Sequence, residues 1–249
     1  MAAYFERLDR TRFRATDAVE GAWNTAEQHI APVLGLIAHE IERDHAARRP
    51  DPLPLARISY DILGTLPIDV VDLHVRVVRP GRTIELIEAT LGHDGRSAVI
   101  ARAWLVQAAD TAAIAGSALP GIPPADELER WDAGDVWPGA FVRTIEARRR
   151  QVEPGRAVFW LRPTLPLLAD ETIGPTSRAL SVVDVANGAT ARVAPTVAAF
   201  PNLDLTVHLF RQPAGAWVGF DTTVSFGAGG LGLTHSVLHD GAGPLGSAA

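Results

Sequence analysis

Polar side chains near the end of the chain have the residue types and spacing that acid–base chemistry needs. In residues 202–209 polar and apolar positions alternate, so that Asp204, Thr206 and His208 share one face of a predicted strand. A carboxylate there can take a proton from water, and a hydroxyl can orient that water. Neighbours on one strand face are about 7 Å apart, too far for direct hydrogen bonds, which argues against a triad or metal site in this row. The alternation alone also fits Asp204 as a polar position of a half-buried strand and His208 as a surface or cross-strand residue.

Two further groups of polar residues accompany this segment. Thr222 and Thr223 lie in the next strand pattern, where Thr223 is equally compatible with a solvated face. Asp184 and Asn187 are three residues apart in a helical pattern and therefore point to similar sides of the helix. Gly188 is expected at the left-handed end of that helix, which Asn187 can also serve through its side chain.

The composition excludes several classes of chemistry. The 249 residues contain no cysteine, and all 23 basic residues are arginine because the chain has no lysine. Thiolate metal sites, cysteine nucleophiles, Schiff-base lysines and P-loop lysines are therefore excluded. His29, His39 and His45 lie on or near one helix without a third ligand at metal spacing. We predict no metal site and no cofactor.

Charge and hydropathy restrict the partners. A net charge of −6 gives no electrostatic basis for nucleic-acid binding, which depends on the neutralisation of phosphates. No apolar run approaches the roughly 18 residues of a membrane helix, and the N-terminal residues lack the apolar stretch of a secretory signal. We predict a cytoplasmic protein that binds neither nucleic acid nor membrane.

The elements that must position these residues occur in one order, twice. In the first half, residues 27–43 have the apolar spacing of a buried helix, and strand patterns follow at 55–63, 70–78, 83–91 and 98–106. In the second half, strand patterns at 141–150 and 157–161 precede a helix near 176–187. Further strand patterns lie at 203–210, 217–226, 230–238 and from 245 onward.

A repeat connects the two halves. His93-Asp94-Gly95 recurs as His239-Asp240-Gly241, an offset of 146 residues, and residues 71–83 align with 218–230 in nearly the same register. The region between the halves is rich in Ala, Pro and Gly and has no sustained period, which indicates a linker. We predict an α+β protein with domains at 1–108 and 139–249, a linker at 109–138, and two sheets paired as a pseudo-dimer.

Five segments carry a resemblance to a known family. The chain resembles the acyl-CoA thioesterase II-like double hot-dog proteins, particularly the actinobacterial thioesterase-like group, in residues 183–188, 202–209, 217–223, 230–233 and 238–244. The resemblance implies two tandem hot-dog domains, each a long helix wrapped by an antiparallel sheet. It implies hydrolysis of an acyl-CoA by activated water, without a cofactor, to free acid and CoA. Because such sheets often pair further, a homodimer or higher homo-oligomer is expected.

The resemblance also assigns roles to residues. In that family an Asp, a Thr or Ser and a Gln hold the attacking water. The Asp falls on Asp204 and the hydroxyl on Thr223, with Thr222 as the fallback. The last strand is expected to be cut short, so that the Gln falls just after Ala249. Substrate binding is implied for Asp184, Asn187, Gly188 and Thr222.

Two functions other than hydrolysis stay open at this point: acyl-CoA binding or scaffolding with little turnover, and hydration. A helix N-terminus at residues 174–177 offers unpaired N–H groups to a thioester carbonyl, which suits hydrolysis. The position of the Gln beyond Ala249 instead favours an acyl-CoA-binding or scaffold protein with little turnover. A hot-dog hydratase is less favoured because the Asp-x-x-x-x-His motif of those enzymes is absent.

Overall fold

The first half of the chain forms one long helix and six strands. A computed structural model describes residues 2–249. Its first-half elements are β1 (Phe5–Arg7), β2 (Arg12–Ala15), α1 (Ile30–Arg48), β3 (Leu55–Ile62), β4 (Val70–Arg79), β5 (Ile84–His93) and β6 (Arg96–Val106).

The second half repeats this arrangement with shorter helices. Its elements are β7 (Arg130–Trp131), α2 (Ala140–Arg143), β8 (Ile145–Glu153), β9 (Arg156–Pro163), α3 (Pro175–Val183), α4 (Ala186–Ala189), β10 (Asp204–Leu209), β11 (Val218–Phe226), β12 (Gly232–Asp240) and β13 (Gly243–Ala248).

All of the strands join one antiparallel sheet. The order is β1-β2-β4-β5-β6-β3-β10-β13-β12-β11-β9-β8-β7, thirteen strands in total. Read outward from the centre, β3-β6-β5-β4 mirrors β10-β13-β12-β11, which is the arrangement that the sequence repeat predicts. The halves meet where β3 pairs with β10, with buried Ile58 opposite Val207 and buried Tyr60 opposite Leu205. The predicted α+β architecture with paired sheets is confirmed.

The two main helices cross at the centre of the molecule. Helix α1 packs on β4 and β5, α3 packs on β9, and the two helices pack against each other. They run antiparallel and approach each other closely at Gly35, where an added Cβ would lie 2.5 Å from the Cβ of Ser181. No helix within residues 2–249 is both long enough and apolar enough to cross a membrane.

Some local predictions differ from the structure. The hairpin β1–β2 and the two-residue strand β7 were not predicted, and α2 occupies the start of the predicted strand 141–150. Helix α1 begins at Ile30 instead of residue 27 because His29 is its N-cap: the His29 Nδ1 accepts the Ala31 N–H at 3.1 Å.

The prediction for Gly188 is wrong. Gly188 does not end the helical segment in a left-handed conformation, because it lies inside α4 and its φ is not positive. An added Cβ at Gly188 would lie 3.2 Å from Cζ2 of Trp137, whose Nε1 donates to the Gly188 carbonyl at 3.4 Å. The glycine therefore makes room for an indole ring.

Candidate active site

A cavity of about 610 Å³ lies between the N-terminal end of α1 and the C-terminal end of α3. Most of its wall is apolar, and three tryptophans contribute to it: Trp23, Trp131 and Trp137. Its polar lining groups include Glu27, Gln28, His29, Asp184, Asn187 and Asn202. The antiparallel crossing of the helices brings these groups together, because it places the start of α1 beside the end of α3.

Asp184 is the buried carboxylate of this cavity. It follows the last residue of α3, and its exposed fraction is 7%. Its Oδ1 accepts a hydrogen bond from Nδ2 of Asn202 at 2.7 Å. Burial raises the pKa of the Asp184 carboxyl to about 6, and the hydrogen bond from Asn202 opposes that rise. Asp184 is therefore ionised at neutral pH and can still take up a proton readily.

Two asparagines hold this carboxylate in place. Asn187 Nδ2 donates to Asn202 Oδ1 at 2.9 Å and to the Phe200 carbonyl at 3.1 Å. Asn187 Oδ1 accepts the Gly188 N–H at 2.6 Å. The amide of Asn202 is thus oriented so that its N–H group faces Asp184. Asn187 supports the carboxylate through Asn202 as well as lining the cavity.

His29 is a neutral neighbour of Asp184. Its Nδ1 lies 3.8 Å from Asp184 Oδ2 and already accepts the Ala31 N–H. Burial lowers the pKa of the His29 imidazole to about 4, so the ring is uncharged at neutral pH. Because Nδ1 is an acceptor, the ring proton is on Nε2. His29 caps α1 and does not neutralise Asp184.

Gln28 presents an unpaired acceptor. Its Nε2 donates to the Pro67 carbonyl at 2.7 Å, which fixes the amide. Its Oε1 is buried and has no hydrogen-bond partner among residues 2–249. Buried polar atoms are normally paired, so this oxygen is an exception within the part of the chain that the structure describes.

Aromatic rings pack together beside the cavity. Trp23 lies edge-to-face against Trp137, with centroids 4.8 Å apart, and against Phe200 at 5.1 Å. Trp23 remains 42% exposed, which places it at the boundary between the cavity and solvent. These rings supply a rigid apolar surface for an acyl group.

The structure does not bring Asp204 and Thr223 together. Asp204 is exposed at the start of β10, and Thr223 is exposed on β11, with β13 and β12 between the two strands. Leu205 and Val207 are the buried side chains of β10, whereas Asp204 is exposed. It borders a neighbouring cleft that shares Asn187 with the cavity.

The predicted substrate-binding residues are divided between two places. Asp184, Asn187 and Gly188 line the cavity. Thr222 is buried elsewhere, and its hydroxyl is hydrogen-bonded to Ser236 Oγ at 2.8 Å. Sequence reasoning did not assign roles in this site to His29, Gln28 or Asn202. Asn202 has a signal, its inclusion in the family-like segment, whereas the sequence pattern places Gln28 and His29 inside the predicted helix 27–43.

The second junction of the two helices lies between the last turns of α1 and the start of α3. Protein side chains fill it. Glu42 of α1 accepts a hydrogen bond from Ser177 Oγ at the start of α3 at 2.5 Å, and burial raises the pKa of Glu42. Nearby, His39, Glu40 and Glu171 cluster closely enough to suggest a metal site. The Arg7 guanidinium binds both carboxylates, at 2.5 Å and 2.6 Å, and Arg43 Nη1 lies 3.3 Å from Glu40 Oε2, so two cations offset the two carboxylates.

Comparison with known families covers most of the chain. The sequence profile of the acyl-CoA thioesterase C-terminal domain matches residues 119–249, and that of the acyl-CoA thioesterase N-terminal domain matches residues 19–106. Among curated proteins, none matches the chain significantly.

Solved structures share the fold over nearly the whole length. A protein of Novosphingobium aromaticivorans, provisionally described as a thioesterase, has 20% identity and a TM-score of 0.78, covering 100% of this chain and 97% of that one. The acyl-CoA thioesterase II TesB2 of Mycobacterium marinum has 18% identity and a TM-score of 0.66, covering 98% and 92%. A hot-dog protein of Alicyclobacillus acidocaldarius has 13% identity and a TM-score of 0.71, covering 97% and 92%. The predicted double hot-dog fold is confirmed.

Proposed function

Because the chain belongs to the acyl-CoA thioesterase family, we propose that it hydrolyses an acyl-CoA thioester with Asp184 as the general base. The observation that carries this proposal is a buried carboxyl, with its pKa raised to about 6, in the wall of an apolar cavity. A base with a pKa just below the working pH combines the ionised form with a useful affinity for protons.

The reaction needs one proton transfer to the base and a site for the oxyanion. Asp184 takes a proton from water as the water oxygen attacks the thioester carbon. The carbonyl oxygen becomes an oxyanion, and the donor left for it in the first turn of α1 is the N–H of Ile30, because the Ala31 N–H is bonded to His29 and Pro32 has none. The intermediate then expels the CoA thiolate. The proton held by Asp184 goes to that sulfur, which yields free acid and CoA and restores the carboxylate.

The wall of the cavity favours an uncharged acyl group. Trp131, Trp137 and neighbouring aliphatic side chains give it an apolar surface, whereas its charged groups are the carboxyls of Glu27 and Asp184. With His29 neutral, no lining side chain supplies a positive charge for a second carboxylate. A dicarboxylic acyl-CoA would have to bury an unpaired charge there.

The test is release of free thiol from a panel of acyl-CoAs. We expect turnover of hexanoyl-, octanoyl- and benzoyl-CoA, with kcat/KM at least tenfold higher than for succinyl-CoA. The dicarboxylic compound is the matched control because it carries the same coenzyme. Saturable binding of the apolar compounds without thiol release would reject hydrolysis and favour the alternative of an acyl-CoA-binding protein.

A further inference from the structure

Another cleft, separate from the one that Asp204 borders, adjoins the cavity. It has a volume of about 430 Å³ and lies between residues 24–27, 64–67 and 93–98; we call it the polar cleft. Asn24, Glu27, Gly64 and Thr65 line both spaces, so one extended ligand can occupy them together. The polar cleft has no tryptophan in its wall, and its far side is formed by the β5–β6 hairpin with His93, Arg96 and Ser97.

Arg96 is the one arginine among the residues that line the two spaces. It begins β6 and is exposed, and within residues 2–249 its side chain makes no ion pair or hydrogen bond. Its Nη2 would lie 3.7 Å from a Cβ at Gly64, so the guanidinium lies beside a residue shared by both spaces. An uncompensated guanidinium is well suited to the oxygens of a phosphate.

The carboxylates near the polar cleft are compatible with a phosphate at Arg96. Glu27 lies at the junction of the two spaces, where its Oε1 accepts a hydrogen bond from Thr65 Oγ1 at 3.0 Å. Asp94 is beside His93, with 3.3 Å between His93 Nε2 and Asp94 Oδ2, but its side chain is 90% exposed and does not line the cleft. The carboxylate of the cleft is therefore at the cavity end, and the guanidinium is on the hairpin side.

The junction between these ends suits an uncharged linker. Glu27 lines both spaces. The pantetheine arm of CoA is uncharged, so it can cross the junction without placing an anion near this carboxylate.

We propose that the polar cleft binds the phosphate-bearing end of the coenzyme, with Arg96 paired to a phosphate. This inference rests on the proposed function and defines the orientation of the bound substrate. The acyl group lies among the tryptophans, the thioester is at Asp184, and the nucleotide end leaves along the β5–β6 hairpin.

Calorimetric titration with free CoA tests this assignment without requiring turnover. Removing a charge-assisted pair to phosphate is expected to raise the Kd about tenfold in Arg96→Ala. The matched control is Arg10→Ala, which removes the same charge from the exposed β1–β2 turn and is expected to leave the Kd unchanged.

Three results would overturn the assignment: an unchanged Kd in Arg96→Ala, an equal rise in Arg10→Ala, or ATP binding as tightly as CoA with the same dependence on Arg96. The last result would identify a general nucleotide phosphate site. If wild-type protein releases no thiol but its CoA affinity depends on Arg96, the proposed hydrolysis fails while the cleft assignment stands.

Discussion

At the scale of single residues, two carboxyls at the central helices, buried Asp184 and half-buried Glu42, illustrate what a functional group requires. Burial raises the pKa of both Asp184 and Glu42. Glu42 is hydrogen-bonded to Ser177 and lines none of the clefts described above, whereas Asp184 is open to a cavity that can admit a thioester. Burial alone therefore does not identify the base; access to a substrate does.

The pH dependence of hydrolysis follows from the raised pKa of Asp184. Below pH about 6 the carboxyl is protonated and cannot accept a proton, so kcat/KM should fall about tenfold per pH unit there. The Asn202 hydrogen bond lowers this pKa, so Asn202→Ala should move the acidic limb to higher pH. The measurement is kcat/KM from pH 4 to 9 for both proteins. An acidic limb that stays in place in Asn202→Ala would exclude Asp184 as the titrating base.

The sequence predicted part of this site at the residue level. Asp184 and Asn187 follow from helical spacing together with the family resemblance. His29 and Gln28 do not, because their approach to Asp184 depends on how α1 and α3 cross, and no local pattern encodes that crossing. The assignment of the base to Asp204 and of the hydroxyl to Thr223 stays a prediction from the family motif.

At the scale of elements, the close approach of α1 and α3 determines the geometry of the site. The helices can touch because Gly35 has no Cβ: an added one would lie 2.9 Å from the Ser177 carbonyl oxygen as well as against Ser181. This contact fixes how far the start of α1 lies from the end of α3. The distance between His29 and Asp184 therefore depends on one small residue in the middle of a helix.

Gly35→Ala should destabilise the protein although alanine is the better helix former. Helix propensity alone would stabilise the variant by about 1 kcal/mol. Overpacking in a rigid core should instead lower the free energy of unfolding by about 1–3 kcal/mol. Urea denaturation measures the difference, with Gly116→Ala as the control because nothing lies within 4 Å of a Cβ there. A more stable Gly35→Ala protein would show that the helices are not in close contact.

Long elements were predictable and short ones were not. The strands β3 to β6 and β10 to β13 have enough residues to show a period or a β-branched run. The strands β1, β2 and β7 have three, four and two residues, too few for a pattern, and they form by pairing with the edges of the sheet. The role of Gly188 was predicted wrongly because the residue makes room for the ring of Trp137, which is distant in the sequence.

At the scale of the whole molecule, the repeat creates two similar helix junctions and leaves one of them open. At the start of α1 lies the cavity with Asp184. At the start of α3, Glu42 binds Ser177, and Thr176 donates to Gln212 Oε1 at 2.7 Å. The sequence repeat predicts the paired sheets, but it does not predict which junction is filled, because that depends on side chains that differ between the halves.

The most direct test of this account is kcat/KM for octanoyl-CoA in three carboxyl variants. Asp184→Asn keeps the size of the side chain but cannot accept the proton, so we expect a loss of about 10²–10⁴-fold. Glu42→Gln, at the filled junction, and Asp204→Asn, at the exposed start of β10, should stay within about threefold of wild type. Full activity in Asp184→Asn, or an equal loss in Asp204→Asn, would contradict the assignment of the base to the cavity.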